Sequence, residues 1–460
     1  MDLAFVYSSK LKAQTYSRFG LLTMNAFVFT FSMRHKQIKN KLFKQNRTRL
    51  AELMEGGALA IVNANDVLPI SADAVLPMQP SPDLFYLSGI EQEESVLLLF
   101  PDAIDPKNRE ILFLRQPSEH LKIWEGYKHS KEDATKISGI ENVKWLSDLP
   151  GQLHLLMCEC DSVYLNSNEH NRAVVEVETR DMRFARQCQR QYPLHQYRRL
   201  APLLHRLRSV KSKDEQDLLR KAVEITEKGF RRILQFVKPG VTEYEVEAEL
   251  IHEYTRNRGK FAYNPIVASG VNACTLHYVQ NDQTCRKGQM LLLDVASSYA
   301  NYSADLTRTI PVSGKFTRRQ KAVYKAVLRI LRASIEGATI GKKHSDWQKE
   351  AQAMMTDELL ALGLLKPKDV KKQDPDNPAC RKYYMHGLGH PLGLDVHDVA
   401  RAQDTFDEGW CLTVEPGIYI PEEGFAVRLE DDIIVTKDGP VNLMETTPIE
   451  PDEIEELMNS

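Results

Sequence analysis

Four carboxylates and one imidazole in the second half of the chain have the donor character that hard or borderline divalent cations select: Asp294, Asp305, Glu415, Glu430 and His390. An oxygen-rich set with a single nitrogen suits a pair of such cations, whereas an all-nitrogen or thiolate set would point to zinc or iron–sulfur chemistry. The chemistry implied is hydrolysis of an unstrained bond, because two cations about 3.5–4 Å apart can hold one hydroxide between them and polarise a carbonyl. A lone carboxylate after an apolar run is as often a solvated turn residue as a ligand. The inference is carried by the acids together with the histidines, His386, His390 and His397 in one short segment and His277 upstream. The spacing of His386 and His390 would suit a helical zinc protease, but Gly387, Gly389 and Pro391 oppose a helix. Leu388 also stands where that motif needs a base.

These residues need elements to position them. Asp294 ends the apolar run Leu291–Leu293, Asp305 stands in Ser303–Thr307, and the small, polar stretch Ser298–Asn301 reads as a hairpin turn between them. Such a hairpin sets two carboxylates side by side on neighbouring strands. Glu415 follows Cys411–Val414 and precedes Pro416, which biases it to extended backbone. Glu430 falls within Phe425–Val435, read as one strand, with Arg428 two residues earlier on the same face. There Arg428 could steady the carboxylates or a substrate, or be an ordinary surface ion-pair partner.

Four capping boxes mark helix starts: Ser212 with Glu215, Thr242 with Glu245, Thr317 with Gln320 and Ser345 with Gln348. The helices are expected to end near Val237, Gly259, Gly337 and Gly363. Each pair leads to strand-like segments bearing candidate ligands, so residues 201–460 read either as two αβ half-repeats or as two unrelated helix pairs. Ala58–Val62, Ser95–Phe100 and Glu110–Leu114 read as strands of a smaller α/β domain over 34–200. The basic stretch Arg34–Arg49 carries Ile38, Leu42 and Phe43 at helical spacing, and Lys366–Ala379 reads as a polar surface loop.

The segments Ile266–Gly270 through His277-Tyr278, Asp294 through Thr309, His386–His397, Glu415–Pro421 and Arg428–Asp431 resemble aminopeptidase P, the Xaa-Pro aminopeptidase of the creatinase/methionine aminopeptidase superfamily. The likeness runs from about Arg47 to Pro448. It implies an α+β fold: a C-terminal catalytic domain of pita-bread type with a pseudo-two-fold αβ repeat, preceded by the smaller α/β domain. It implies that Asp294 binds one metal, that His390 and Glu415 bind the other, and that Asp305 and Glu430 bridge, with Mn²⁺ the expected ion. Glu415 would receive the proton of the attacking water. His277, His397 and Arg428 would act on the reacting groups, and Tyr263, His386 and Tyr419 would line the substrate pocket. The substrates implied are peptides with proline second; homo-oligomers, dimers or tetramers, are expected, with Trp124 able to border a neighbour's site. Three alternatives stay open: a prolidase restricted to dipeptides, a methionine aminopeptidase or creatinase, and a peptide-binding protein that kept the fold without the chemistry. Two departures from the family pattern are visible. Met78–Asp83 lacks the usual arginine and asparagine-serine pair, and Pro391 replaces a common tryptophan.

The bulk properties fit this reading. A chain of 460 residues exceeds one comfortable core, and its net charge of -3 offers no electrostatic footprint for nucleic acid. Seven scattered cysteines fit reduced thiols in the cytoplasm. Phe19–Met33 is apolar and follows Lys10, Lys12 and Arg18, as a signal peptide would, yet it has no small-residue cleavage site and is too short to span a bilayer. Residues 1–33 are therefore expected to be an extension, with Met24 or Met33 as alternative starts and export as the competing reading.

Overall fold

The computed structural model describes residues 34–460 except 168, 171, 174, 375, 376, 402 and 403. The expectation about the first residues, 1–33, lies outside that range. The first helix, Asn40–Leu53, buries Leu42, Phe43 and Leu50 and also Arg47. Arg47 is far from a solvated residue. It donates to the carbonyls of Leu87 and Ser138 and pairs with Glu110 at 2.9 Å, tying the helix to the sheet beneath.

That sheet has six strands: β1 (Ala58–Asn63), β2 (Val96–Leu99), β3 (Glu110–Leu114), β4 (Asn142–Trp145), β5 (Ser162–Leu165) and β6 (Gln196–Arg199), in the order β4-β3-β2-β1-β5-β6. β1 pairs antiparallel to β2 and parallel to β5, so the sheet is mixed. β1 and β2 are buried along their whole length, because helices pack apolar side chains against both faces, which is why they read as continuous apolar runs. Departing from the family pattern, Ser81 caps the helix Pro82–Ser88 by accepting from the N–H of Leu84.

Beyond the helix Ala201–Ser209, two helix pairs flank antiparallel strands. The first pair is Lys213–Phe236 and Glu243–Arg256, the second Arg318–Glu336 and His344–Ala361. Three of the four expected capping boxes are formed. At Thr242 it is the carboxylate of Glu245 that accepts from both the backbone N–H and the hydroxyl of Thr242. The fourth is a correction: the last helix starts at His344 after an extended Lys343, so Ser345 caps nothing. Lys343 is held by a bridge to Thr405, and Gln348 is drawn away to accept the N–H of Leu388, in the segment that carries the histidines. Within the stretch expected to be a loop, Lys366–Ala379, Pro367–Lys371 forms a short helix.

The strands with the first pair are β7 (Lys260–Phe261), β8 (Ile266–Ser269), β9 (Met290–Asp294), β10 (Ser297–Tyr299), β11 (Tyr302–Ser303) and β12 (Thr307–Pro311). They form the sheets β11-β10-β7 and β12-β9-β8. The expected hairpin is present, with Ala300 and Asn301 at φ of 50° and 64° turning β10 into β11. With the second pair come β13 (Cys411–Val414), β14 (Gly417–Ile420), β15 (Phe425–Arg428), β16 (Asp431–Ile434) and β17 (Val441–Asn442). The run Phe425–Val435 is two strands, not one. It breaks at Leu429-Glu430 because the N–H of Glu430 turns to the carbonyl of Thr307 at 3.0 Å, and β15 pairs with β14 while β16 pairs with β13. This bridge joins the strands of the two halves, and the apolar side chains of both halves form one continuous core behind it.

Candidate metal centre

Asp294 is the last residue of β9, paired across Ile266 on one side and Thr307 on the other. Asp305 lies in the short gap between β11 and β12, its N–H donated to Asp432 at 3.0 Å. Glu430 occupies the break between β15 and β16 and accepts from the Thr307 hydroxyl at 2.6 Å. His390 is presented from a turn whose N–H and C=O bond the side chain and backbone of Thr413 in β13. The preceding residue must be glycine, since a Cβ at Gly389 would stand 2.0 Å from the carbonyl oxygen of Thr413.

These donors converge. One donor atom each from Asp305, His390 and Glu430 lie within 4.8 Å of one another, all three residues being buried. His390 Nε2 is 3.5 Å from Asp305 and 3.8 Å from Glu415. Its Nδ1 lies 3.0 Å from the carbonyl of Pro391, so Nδ1 carries the proton and Nε2 turns its lone pair inward, as a ligating histidine requires. Asp294 faces the same cavity but is held by Arg428 and by the Tyr263 hydroxyl, which donates at 2.7 Å to Asp294 and at 2.6 Å to Asp305. All five expected ligands, with His277, His386, His397 and Arg428, line one cavity of about 280 Å³.

The remaining expected residues form a chain of donors around it. His386 Nε2 lies 2.7 Å from the Tyr419 hydroxyl, and Arg428 donates to the same hydroxyl at 2.9 Å. Arg428 is buried, not a surface ion pair, and its Nε also donates to Thr307. His397 stacks on His390 with ring centroids 3.9 Å apart, while His277 stands exposed at the cavity mouth. Thr307, Asp432 and Arg172, which touches His397, were not among the expected residues. Thr307 could have been found, because alternation puts it on the face of Asp305 and Thr309. Arg172 lies 225 positions before His397 and carries no local signal.

The charges do not balance. Burial, followed by the nearby Asp305, Glu415 and Asp294 carboxylates, holds the Glu430 carboxyl far above its ordinary range. Burial also pushes Glu415 up to about 7, with Asp305 and Asp294 adding to it against His390 and Arg428. Asp294 rises for the same reason, burial outweighing the Arg428 guanidinium. Burial alone would lower His390, but the carboxylates of Asp305 and Glu415 outweigh it and the ring is raised. His386 and His397 fall to about 3, through burial and then the positive charge of Arg428 or His390. Four clustered carboxylates thus face one guanidinium, and such a set either holds protons or takes cations. The donor set fits divalent metal.

Residues 217–437 match the metallopeptidase family M24, and residues 43–164 match the aminopeptidase P N-terminal domain. The chain is 36% identical over 437 residues to the Xaa-Pro aminopeptidase of Escherichia coli (strain K12), covering 92% of this chain and 98% of that one. It belongs to the aminopeptidase P family. Xaa-Pro aminopeptidase 3 of Homo sapiens is 30% identical, over 86% of this chain and 80% of its own. The solved structure of zinc-substituted E. coli aminopeptidase P in complex with product superposes with a TM-score of 0.81 at 34% identity, covering 92% of this chain and 99% of that one. The fold is therefore the two-part aminopeptidase P architecture, its C-terminal part of pita-bread type.

Proposed function

We propose that this chain is a metal-dependent Xaa-Pro aminopeptidase, releasing the residue that precedes a proline at the second position of a peptide. The observation that carries the reading is the convergence of Asp294, Asp305, His390, Glu415 and Glu430 in one cavity with too few positive charges, in a chain similar over 92% of its length to a Xaa-Pro aminopeptidase. Asp294 would hold one cation, His390 and Glu415 a second, and Asp305 and Glu430 both, with Mn²⁺ favoured by the oxygen-rich donors. When bound, the cations supply the Lewis acidity that amide hydrolysis needs.

The chain's own groups do the rest. Glu415 would accept the proton of the attacking water and pass it to the leaving nitrogen. His277 and His397 donate to the charge that develops on the scissile carbonyl. Arg428 fixes Asp294 and Tyr419, and Tyr419 in turn fixes His386, so this part of the site is pre-organised before substrate arrives. Tyr263 orients the two aspartates and closes one wall. A second cavity of about 850 Å³ shares Arg172, His277 and His397 with the first and is lined by Phe85, Phe261, Leu394 and Val396. Its apolar wall suits proline, whose tertiary amide has no N–H to satisfy, and its size leaves room for residues beyond.

The same reading includes a small domain over 34–200 and a catalytic domain over 201–460. It also includes a homo-oligomer, in which the exposed Trp124 would meet a neighbouring copy, and a cytoplasmic setting, which the seven free cysteines support. No helix among the described residues is long and apolar enough to cross a membrane. Turnover of Xaa-Pro dipeptides and Xaa-Pro-Xaa tripeptides with added Mn²⁺ tests the proposal. Cleavage of both is expected. Cleavage of dipeptides alone makes the protein a prolidase, and cleavage of neither leaves it a binding protein.

A further inference from the structure

Just outside the catalytic cavity lies a second knot of charge, built from parts far apart in the chain. Arg208, at the end of the helix Ala201–Ser209, is buried, with 2% of its side chain exposed. Its guanidinium bonds Asp83 at 2.7 Å, Asp395 at 2.7 Å and Asp398 at 2.5 Å. Lys211 takes the other oxygen of Asp398 at 2.9 Å, and Asn166 donates to the other oxygen of Asp83 at 2.7 Å. Asp83 and Asn166 belong to the small domain, on the helix Pro82–Ser88 and just after β5. Asp395 and Asp398 flank His397. The backbone there is closed further by the N–H of Asp398 donating to Pro391 and that of Gly393 to Asp395. A Cβ at Gly393 would lie 2.1 Å from the Asp398 carboxylate, so the turn is built around that side chain.

We propose that Arg208 is a positioning residue for His397, and that through it Asp83 of the small domain sets where this imidazole stands. The guanidinium grips the His397 segment on both sides of the ring, and a planar donor with a fixed fork transmits orientation as well as charge. His397 lies against His390, so a shift of the segment moves a substrate-facing donor relative to a metal ligand. Shifts of about 1 Å far from the reacting atoms can cost about 100-fold in rate. The small domain would then contribute to turnover without supplying a group that touches the reacting bond.

The inference rests on the Xaa-Pro reading, whose failure would appear as wild-type protein without turnover. The test is a double-mutant cycle on Xaa-Pro-Xaa cleavage with Mn²⁺, comparing Asp83→Asn in the wild-type and in the His397→Ala background. Asp83→Asn is expected to lower kcat by about 10- to 100-fold with little change in KM, and to have almost no effect once His397 is gone. A fold-loss at least about threefold larger in the wild-type background sustains the proposal, and a smaller ratio overturns it. Amide hydrogen exchange of 394–399 in the metal-free Asp83→Asn protein gives a readout independent of activity, and exchange rates equal to wild type there would also overturn it. Should Asp83→Asn not accumulate as folded protein, Asp395→Asn, whose side chain is 40% exposed, is taken through the same cycle with the same criterion.

Discussion

Two groups of buried carboxylates lie on either side of His397, and they differ in one respect. Around Arg208, three aspartates are met by a guanidinium and the Lys211 ammonium; Asp398 is held below the ordinary carboxylate range because these cations outweigh its burial, while burial raises Asp395 despite Arg208. In the cavity, four carboxylates meet one bonded guanidinium, Arg428, and the His390 imidazole, and Glu430, Glu415 and Asp294 all rise. The lesson is that a cluster of acids becomes a cation site where the fold withholds counter-charge. Where the counter-charge is provided, the same residue types make a structural joint.

Removing a ligand should separate the two groups most clearly. Glu430→Ala or Asp305→Ala is expected to lower peptide turnover by about 1000-fold or more, while leaving the chelator-treated protein no less stable, since it removes a like charge. Assay of cleavage with Mn²⁺, paired with denaturant unfolding in chelator, checks both halves. A large loss of metal-free stability would mean that the cavity is compensated after all.

The opposite pattern is expected at the joint. Arg208→Met leaves three carboxylates without their main partner and should cost about 3–5 kcal/mol, seen as a lower denaturant midpoint with unchanged slope. Mn²⁺ at about 100 times its dissociation constant should add about 2.7 kcal/mol of stability to the wild-type protein, and little to Glu430→Ala. A thermal shift of equal size in the two proteins would place the ion elsewhere.

The smallest effect concerns an acid whose side-chain hydrogen bond comes from an amide and not from a cation. Asp181 accepts from Asn63 at 2.8 Å and is pushed up to about 7, mainly by burial. A carboxyl raised on folding keeps its proton in the native state while the unfolded chain has lost it. Stability therefore falls as pH rises from about 4 through 7 and stays reduced above. Asp181→Asn should raise the melting temperature at pH 8 and change it little at pH 5, and calorimetry at the two values reads the difference.

Much of the site was legible in the residues because its chemistry is local to short segments. Asp294 and Asp305 are joined by a hairpin whose turn the sequence announces, and the histidine segment excludes a helix by its glycines and proline. Helix starts were legible wherever a capping box had no competitor. At Ser345 it failed because Gln348 is recruited by Leu388, a residue forty positions on, and no local rule contains that. The break at Glu430 was hidden for a related reason, since it is the strand edge at Thr307 that interrupts an otherwise strand-like run.

The kinds and order of the candidate ligands, most of the helix caps and the alternation of the strands were written in the chain itself, because each depends on neighbours a few residues away. Which acids are left without counter-charge and which are paired depended on segments around residues 83, 166, 208 and 395–398 meeting in space. Electrostatic energy is set by distance through a low-dielectric interior, not by separation along the backbone, so that choice belongs to the tertiary structure alone.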